Sequence, residues 1–213
     1  GLFLSMIHGI LLTVGCIGVL RPFLHLFTAN PEVIQNGITY GTLAFLFNFP
    51  NSIAIAYEKI YQAEGKMTVS MIAMLCGCIC NIILDPMMIF GIGFFPEMGI
   101  AGAALATGIG QVLTLVIYLI IYYTKESQLR IHFSKEMFQK TICKRIYSVG
   151  LPATMNLSLP SIMITLLNGI LAEFSDMYVL VLGIYYKLQT FIYLTVNGIV
   201  QGIRPLIGYN YGA

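Results

Sequence analysis

Long apolar runs, each about the length of a membrane crossing, alternate along this chain with short polar or turn-rich segments. Reading for uncharged apolar stretches of roughly 20 residues, the length a helix needs to cross hydrocarbon, predicts six spans at about 1–20, 33–57, 67–93, 99–123, 146–172 and 177–205. Between them lie T-A-N-P-E at 28–32, Y-Q-A-E-G-K at 61–66, F-P-E-M-G at 95–99, a charged stretch at 124–145 and E-F-S-D at 173–176. A membrane β-barrel would alternate apolar and polar residues in segments of about ten. These runs are continuous, so the expected fold is all-α: a polytopic transmembrane helical bundle.

Composition agrees. Of the 213 residues, 58% are hydrophobic and only 9% charged, and the mean hydropathy is +0.85, whereas a soluble domain is about 25% charged. A net charge of +2, spread along the chain, is too small for a nucleic-acid partner or a polybasic membrane-surface patch. The position of the charges carries more. Lys59, Lys66, Lys125, Arg130, Lys135, Lys140, Lys144 and Arg145 occupy the junctions after the second and fourth spans, and Arg204 closes the sixth. The other junctions hold only Arg21. Because basic loops stay inside, residues 58–66, 124–145 and the C-terminal end are expected in the cytoplasm of a multi-pass cell-membrane protein. Both ends read as cut: the first span has no initiator Met or basic flank, and the chain stops at R-P-L-I-G-Y-N-Y-G-A.

Residues 124–145 form the longest polar segment, with basic residues every four or five positions. That pattern predicts a cytoplasmic linker with an amphipathic helix on the membrane surface. It divides 1–123 from 146–213. The cysteines of C-G-C-I-C (76–80) have no His nearby and read as small apolar residues that permit close packing, so no metal site is assigned. His8, His25 and His132 are scattered and receive no role.

Of the nine acidic residues, Asp85 alone falls inside an apolar run; the others sit at span ends or in junctions. A charged Asp at the centre of a membrane helix costs about 2.5–3.5 kcal/mol, and such residues face a bundle interior or a cavity. Asn81 stands four residues earlier on the same helix face. Pro86, lacking an N–H, frees the carbonyl of Ile82. Carboxylate, amide oxygen and free carbonyl on one turn suit a monovalent cation or a proton. The alternative is a protonated Asp85 that simply hydrogen-bonds between helices, at around 0.6 kcal/mol per bond.

Lys187 sits deep in the sixth span, where snorkelling is difficult, and with Gln189 and Asn197 it predicts a polar substrate pathway. Gly102, Ala106 and Gly110 make a small-residue face on the fourth span, with Thr107 beside it. Pro50 interrupts the second span, and Pro152 and Pro160 the fifth, either as static kinks or as bends around a cavity.

The stretch N-I-I-L-D-P-M-M-I-F-G-I-G-F-F-P-E-M-G-I-A-G-A-A-L-A-T-G-I-G-Q (81–111) carries a resemblance, together with Y-Q-A-E-G-K (61–66), G-L-P-A (150–153) and Q-G-I-R-P-L-I-G-Y-N-Y-G-A (201–213). In this ordered series the chain resembles the multidrug and toxic compound extrusion (MATE) family. The resemblance implies a twelve-helix, two-lobe exporter of which this chain is similar to helices three to eight. Residues 1–123 would be the last four helices of the N-lobe, 124–145 the inter-lobe linker and 146–213 the first two helices of the C-lobe. It also implies antiport of organic, often cationic, drugs against sodium ion or proton, with no resident cofactor. The family's N-lobe cation site then falls on Asp85, Asn81, Thr107 and Tyr40. Its helix-one Asp lies outside this sequence. The helix-seven Glu of some relatives is absent from A-T-M-N-L-S-L-P (153–160), which resembles the DinF-like branch, where Lys187 would match a basic residue on helix eight.

The expected partners are a small-molecule drug and the lipid bilayer, with no nucleic acid, and the full-length protein is expected to be a monomer. A flippase for lipid-linked oligosaccharide or polyprenyl precursors is the alternative within the same superfamily. An intramembrane enzyme is not expected: the chain has no G-x-S-x-G, no H-E-x-x-H and no second intramembrane Asp.

Overall fold

The structure, a computed structural model, describes residues 1–25, 30–124 and 140–212, and every regular element among them is a helix. In order these are α1 (Leu2–His25), α2 (Pro31–Leu46), α3 (Asn48–Ala63), α4 (Met67–Phe90), α5 (Gly99–Thr124), α6 (Lys140–Ala172) and α7 (Asp176–Gly212). By length and composition α1, α4, α5, Thr141–Leu171 of α6 and Met177–Ile203 of α7 can each cross a membrane.

The predicted second span is met by two helices in succession, α2 and α3, divided at Phe47. Pro50 is the physical reason, since it has no N–H to give the Leu46 carbonyl. The bond from Phe47 N–H to the Leu43 carbonyl is stretched to 3.4 Å, and the ladder resumes with Asn51 N–H to Phe47 O at 3.1 Å. The hydroxyl of Thr13 on α1 donates to the Phe45 carbonyl at 3.0 Å, so a neighbouring helix supports the backbone at the break. Pro152 and Pro160 lie inside α6, which continues through both. A proline removes one backbone bond, and the turns on either side hold the helix.

Helices also outrun the apolar stretches that announced them. α3 continues to Ala63, α7 to Gly212, and α6 begins at Lys140, so residues 140–145, read as linker, are helical. Hydropathy marks what can sit in lipid, whereas the backbone ladder continues through any residue that can sustain it. The rest of the predicted surface linker, 125–139, lies outside the described residues, as do Thr28 and Ala29.

Two compact units result, one holding α1–α5 and the other α6 and α7. In the second, α6 and α7 pack on each other and are joined by a tight turn at 173–175. In the first, α4 and α5 make the most extensive contact. Their connection folds tightly: Gly91 ends α4 in the left-handed conformation (φ 69°), Ile92 N–H reaches Met87 O at 2.9 Å, and Met98 N–H reaches Met88 O at 3.0 Å. A Cβ on Gly110 would lie 2.7 Å from Gly77 O, and one on Gly77 would lie 2.8 Å from Gly110 O. Further along, a Cβ on Gly102 would lie 2.5 Å from Met88 O. The two backbones therefore touch where only glycine fits.

A tyrosine cluster ties α3 to this pair at its other end. Tyr61 and Tyr118 are buried and stacked with ring centroids 5.7 Å apart. The Tyr61 hydroxyl donates to Tyr118 O at 3.1 Å, and the Tyr118 hydroxyl to Ser70 O at 3.4 Å. Because the α4–α5 contact is backbone against backbone, Gly110→Val should destabilise the chain by roughly 1–3 kcal/mol. Thermal unfolding in detergent measures this against Gly198→Val, whose added carbon meets nothing within 4 Å. Equal melting temperatures for the two variants would contradict the packing account.

Candidate functional site

The glycine contact sets the position of Asn81. On α4 it follows Gly77 by one turn, and a Cβ on Gly110 would lie 3.3 Å from its own Cβ, so its amide enters the seam between α4 and α5. There the Asn81 Nδ2 donates to Asp85 Oδ1 at 3.2 Å and to Thr107 Oγ1 at 3.3 Å. The Thr107 hydroxyl spends its hydrogen on Ala103 O at 3.0 Å, so its oxygen is free to accept. A carboxylate on one side and a committed hydroxyl on the other both require a donor, which fixes the amide orientation. Three residues expected in the site are thus brought together.

The donor and acceptor balance is lopsided. Asp85 Oδ2 and Asn81 Oδ1 accept nothing among the described residues. The ion pairs found among those residues are Lys59–Glu58 and Lys66–Glu64, so no cation offsets Asp85. The cluster therefore holds two acceptor oxygens that meet no donor among the described residues.

Asp85 stands five residues before Phe90, the last residue of α4, a rise of only about 7–8 Å. It is therefore nearer one end of the helix than the apolar run, which continues through the 91–95 turn, implied. Both Asn81 and Asp85 are half-buried.

A cavity of about 500 Å³ opens from this cluster between α3, α4 and α5. Asn81 and Thr107 line it, with Asn51 and Glu58 from α3 and Gln111, Thr114 and Tyr118 from α5. Sequence reading missed all five of these last residues. By hydropathy Glu58 reads as a span-end residue, yet it lies within α3 and its side chain is only 15% exposed. The available signal was Thr107, Gln111, Thr114 and Tyr118 recurring at four, three and four residues, a polar stripe on one face of an apolar helix.

The remaining predicted residues are not gathered here. Tyr40, on α2, is 42% exposed and is neither a hydrogen-bond partner of the cluster nor part of the cavity lining. Lys187 and Gln189 are exposed on α7. The Asn197 amide donates to Tyr193 O of its own helix at 3.2 Å.

The MatE family model matches residues 1–87. Multidrug export protein MepA of Staphylococcus aureus (strain NCTC 8325 / PS 47) is 34% identical over 157 residues, 73% of this chain and 34% of the relative. The MepA of Staphylococcus haemolyticus (strain JCSC1435) is 27% identical over 210 residues, 99% of this chain and 46% of the relative. Among solved structures, the MATE multidrug transporter DinF-BH superposes with a TM-score of 0.85 at 31% identity, covering 100% of this chain and 47% of that one. This chain belongs to the MATE family. It spans less than half the length of each of these relatives.

In this MATE chain the hydrogen bonds around Asn81 should differ in worth. Thr107→Val removes a neutral acceptor and should cost about 0.6 kcal/mol. Asn81→Leu leaves the Asp85 carboxylate without its donor and should cost about 1.5–3 kcal/mol where that carboxylate is ionised. Thermal unfolding of both variants checks the order, and a larger loss from Thr107→Val would contradict it.

Proposed function

We propose that this chain carries the ion-coupling part of a multidrug exporter, an antiporter that exchanges sodium ion or proton for organic, often cationic, drugs across the cell membrane. The observation that carries this reading is Asp85: a carboxylate inside a membrane helix, with acceptor oxygens beside it and no basic partner among the described residues. This carboxylate is completed by what it binds. The relatives support the same reading, being named multidrug export proteins and, for the solved structure, a multidrug transporter.

On this account residues 1–123 and 146–213 belong to two lobes linked by 124–145, with the basic junctions on the cytoplasmic side. The 91–98 turn, and with it Asp85, then lies toward the outside. Cation binding at Asp85 and Asn81 stabilises one lobe arrangement and drug binding the other, so each displaces the other. Every positive charge that moves inward gains about 2.3 kcal/mol per 100 mV of membrane potential, which drives the drug outward. Lys187, Gln189 and Asn197 contribute polar groups to the drug's path from the second lobe.

Replacing Asp85 with Asn keeps the shape and removes the charge. In the full-length protein reconstituted in vesicles, Asp85→Asn should abolish drug movement driven by an ion gradient while leaving a normal gel-filtration profile. Gradient-driven efflux at the unaltered rate would refute the coupling role.

A further inference from the structure

The polar stripe on α5 leads away from the Asp85 cluster and ends beside a second carboxylate. Thr107, Gln111, Thr114 and Tyr118 share one helix face and all line the cavity. Eleven residues separate the first from the last, a rise of about 16 Å. The near end touches Asn81 through Thr107. At the far end Glu58 lines the same cavity from α3, five residues before that helix ends.

Three side chains of this row offer acceptor oxygens. The Thr107 hydroxyl hydrogen goes to Ala103 O at 3.0 Å, and that of Thr114 to Gly110 O at 3.0 Å. Both hydroxyls therefore offer the cavity oxygen lone pairs and no hydrogen. The Gln111 Oε1 between them is buried and has no hydrogen-bond partner among the described residues. A buried acceptor left empty is unfavourable, and the hydroxyl oxygens of Thr107 and Thr114 stand one turn to either side of it. Its far end is acidic: Glu58 Oε1 accepts from Gln62 Nε2 at 2.6 Å and from Lys59 Nζ at 3.0 Å. Lys59 is half-exposed beside it. From α4 the Ser70 hydroxyl meets the Glu58 backbone carbonyl, from α5 Tyr118 gives its hydrogen to Ser70 O, and Glu64 is paired with Lys66 at 2.7 Å in the following turn.

We propose that this acceptor row is the route by which the coupling cation travels between Asp85 and the opposite side of the membrane, with Glu58 as the terminal carboxylate. The inference rests on Asp85 being the coupling site. Glu58 stands at the basic end of the helices, so it takes the ion arriving down the cavity and hands it to solvent beside the half-exposed Lys59. Its role is in transfer, distinct from equilibrium binding at Asp85.

That distinction makes the test. With the full-length protein in vesicles, the initial rate of ion-driven efflux is measured beside the ion's equilibrium affinity, read from ion-dependent thermal stabilisation. Glu58→Gln should slow efflux by roughly tenfold or more with ion affinity unchanged, and Glu58→Asp should restore most of the rate. Gln111→Leu, which leaves both carboxylates in place, should slow efflux in the same way and carries the test alone if Glu58→Gln does not fold. Unaltered rates in both Glu58→Gln and Gln111→Leu, with Asp85→Asn inactive, would overturn the route and leave the coupling site standing. Loss of ion affinity in Glu58→Gln would also overturn it, by making Glu58 part of the binding site. Efflux that survives Asp85→Asn removes the coupling site and the route with it.

Discussion

An aspartate held in an apolar helix, with no basic partner among the described residues, is the constraint around which the first unit is arranged. In low dielectric its charge is expensive, and the protein answers with one amide and no cation among the described residues. The amide can do this only because Gly77 and Gly110 let two helix backbones touch one turn away. Larger residues at that crossing would part α4 from α5 and pull Thr107 out of reach of Asn81. Close packing and site chemistry are here one requirement.

The broken second span serves the same arrangement. A continuous helix from Pro31 to Ala63 would carry Asn51 and Glu58 in a register fixed by α2. The break at Phe47 releases α3 to turn its own polar positions toward α4 and α5, while the Phe47 ring packs over Gly108. The tyrosine cluster then anchors the far end of α3. The cavity between these helices is lined by Glu58 and, through Asn81 and Thr107, adjoins the Asp85 cluster, with oxygen acceptors between.

Much of this was legible in the sequence, and the parts that were not have physical reasons. Membrane class and all-helical fold follow from run length, and Asp85 with Asn81 from a charge out of place at helical spacing. The Gly102–Ala106–Gly110 face indicated a close contact, and Thr107 came with it. Glu58 was hidden because hydropathy assigns a residue near the end of a run to the junction, although the helix continues around it. Gln111, Thr114 and Tyr118 were hidden because each alone is unremarked in an apolar helix, and only their common face gives them meaning. Pro152 and Pro160 lie inside a helix that continues through them, since a proline in lipid loses one bond without ending its helix. Tyr40 was carried by resemblance and not by the pattern of this chain, and it lies apart from the cluster.

The central claim is that Asp85 and its neighbours are completed by a cation or proton. Titration of the melting temperature of the full-length protein with sodium ion at fixed pH, and with pH at fixed sodium, measures this without transport. A ligand that binds only the folded state at a hundred times its dissociation constant adds about 2.7 kcal/mol of stability. The account predicts a rise in melting temperature with one of the two ions for the native protein and a flat response for the aspartate-to-asparagine variant at position 85. The same rise in both proteins would contradict it.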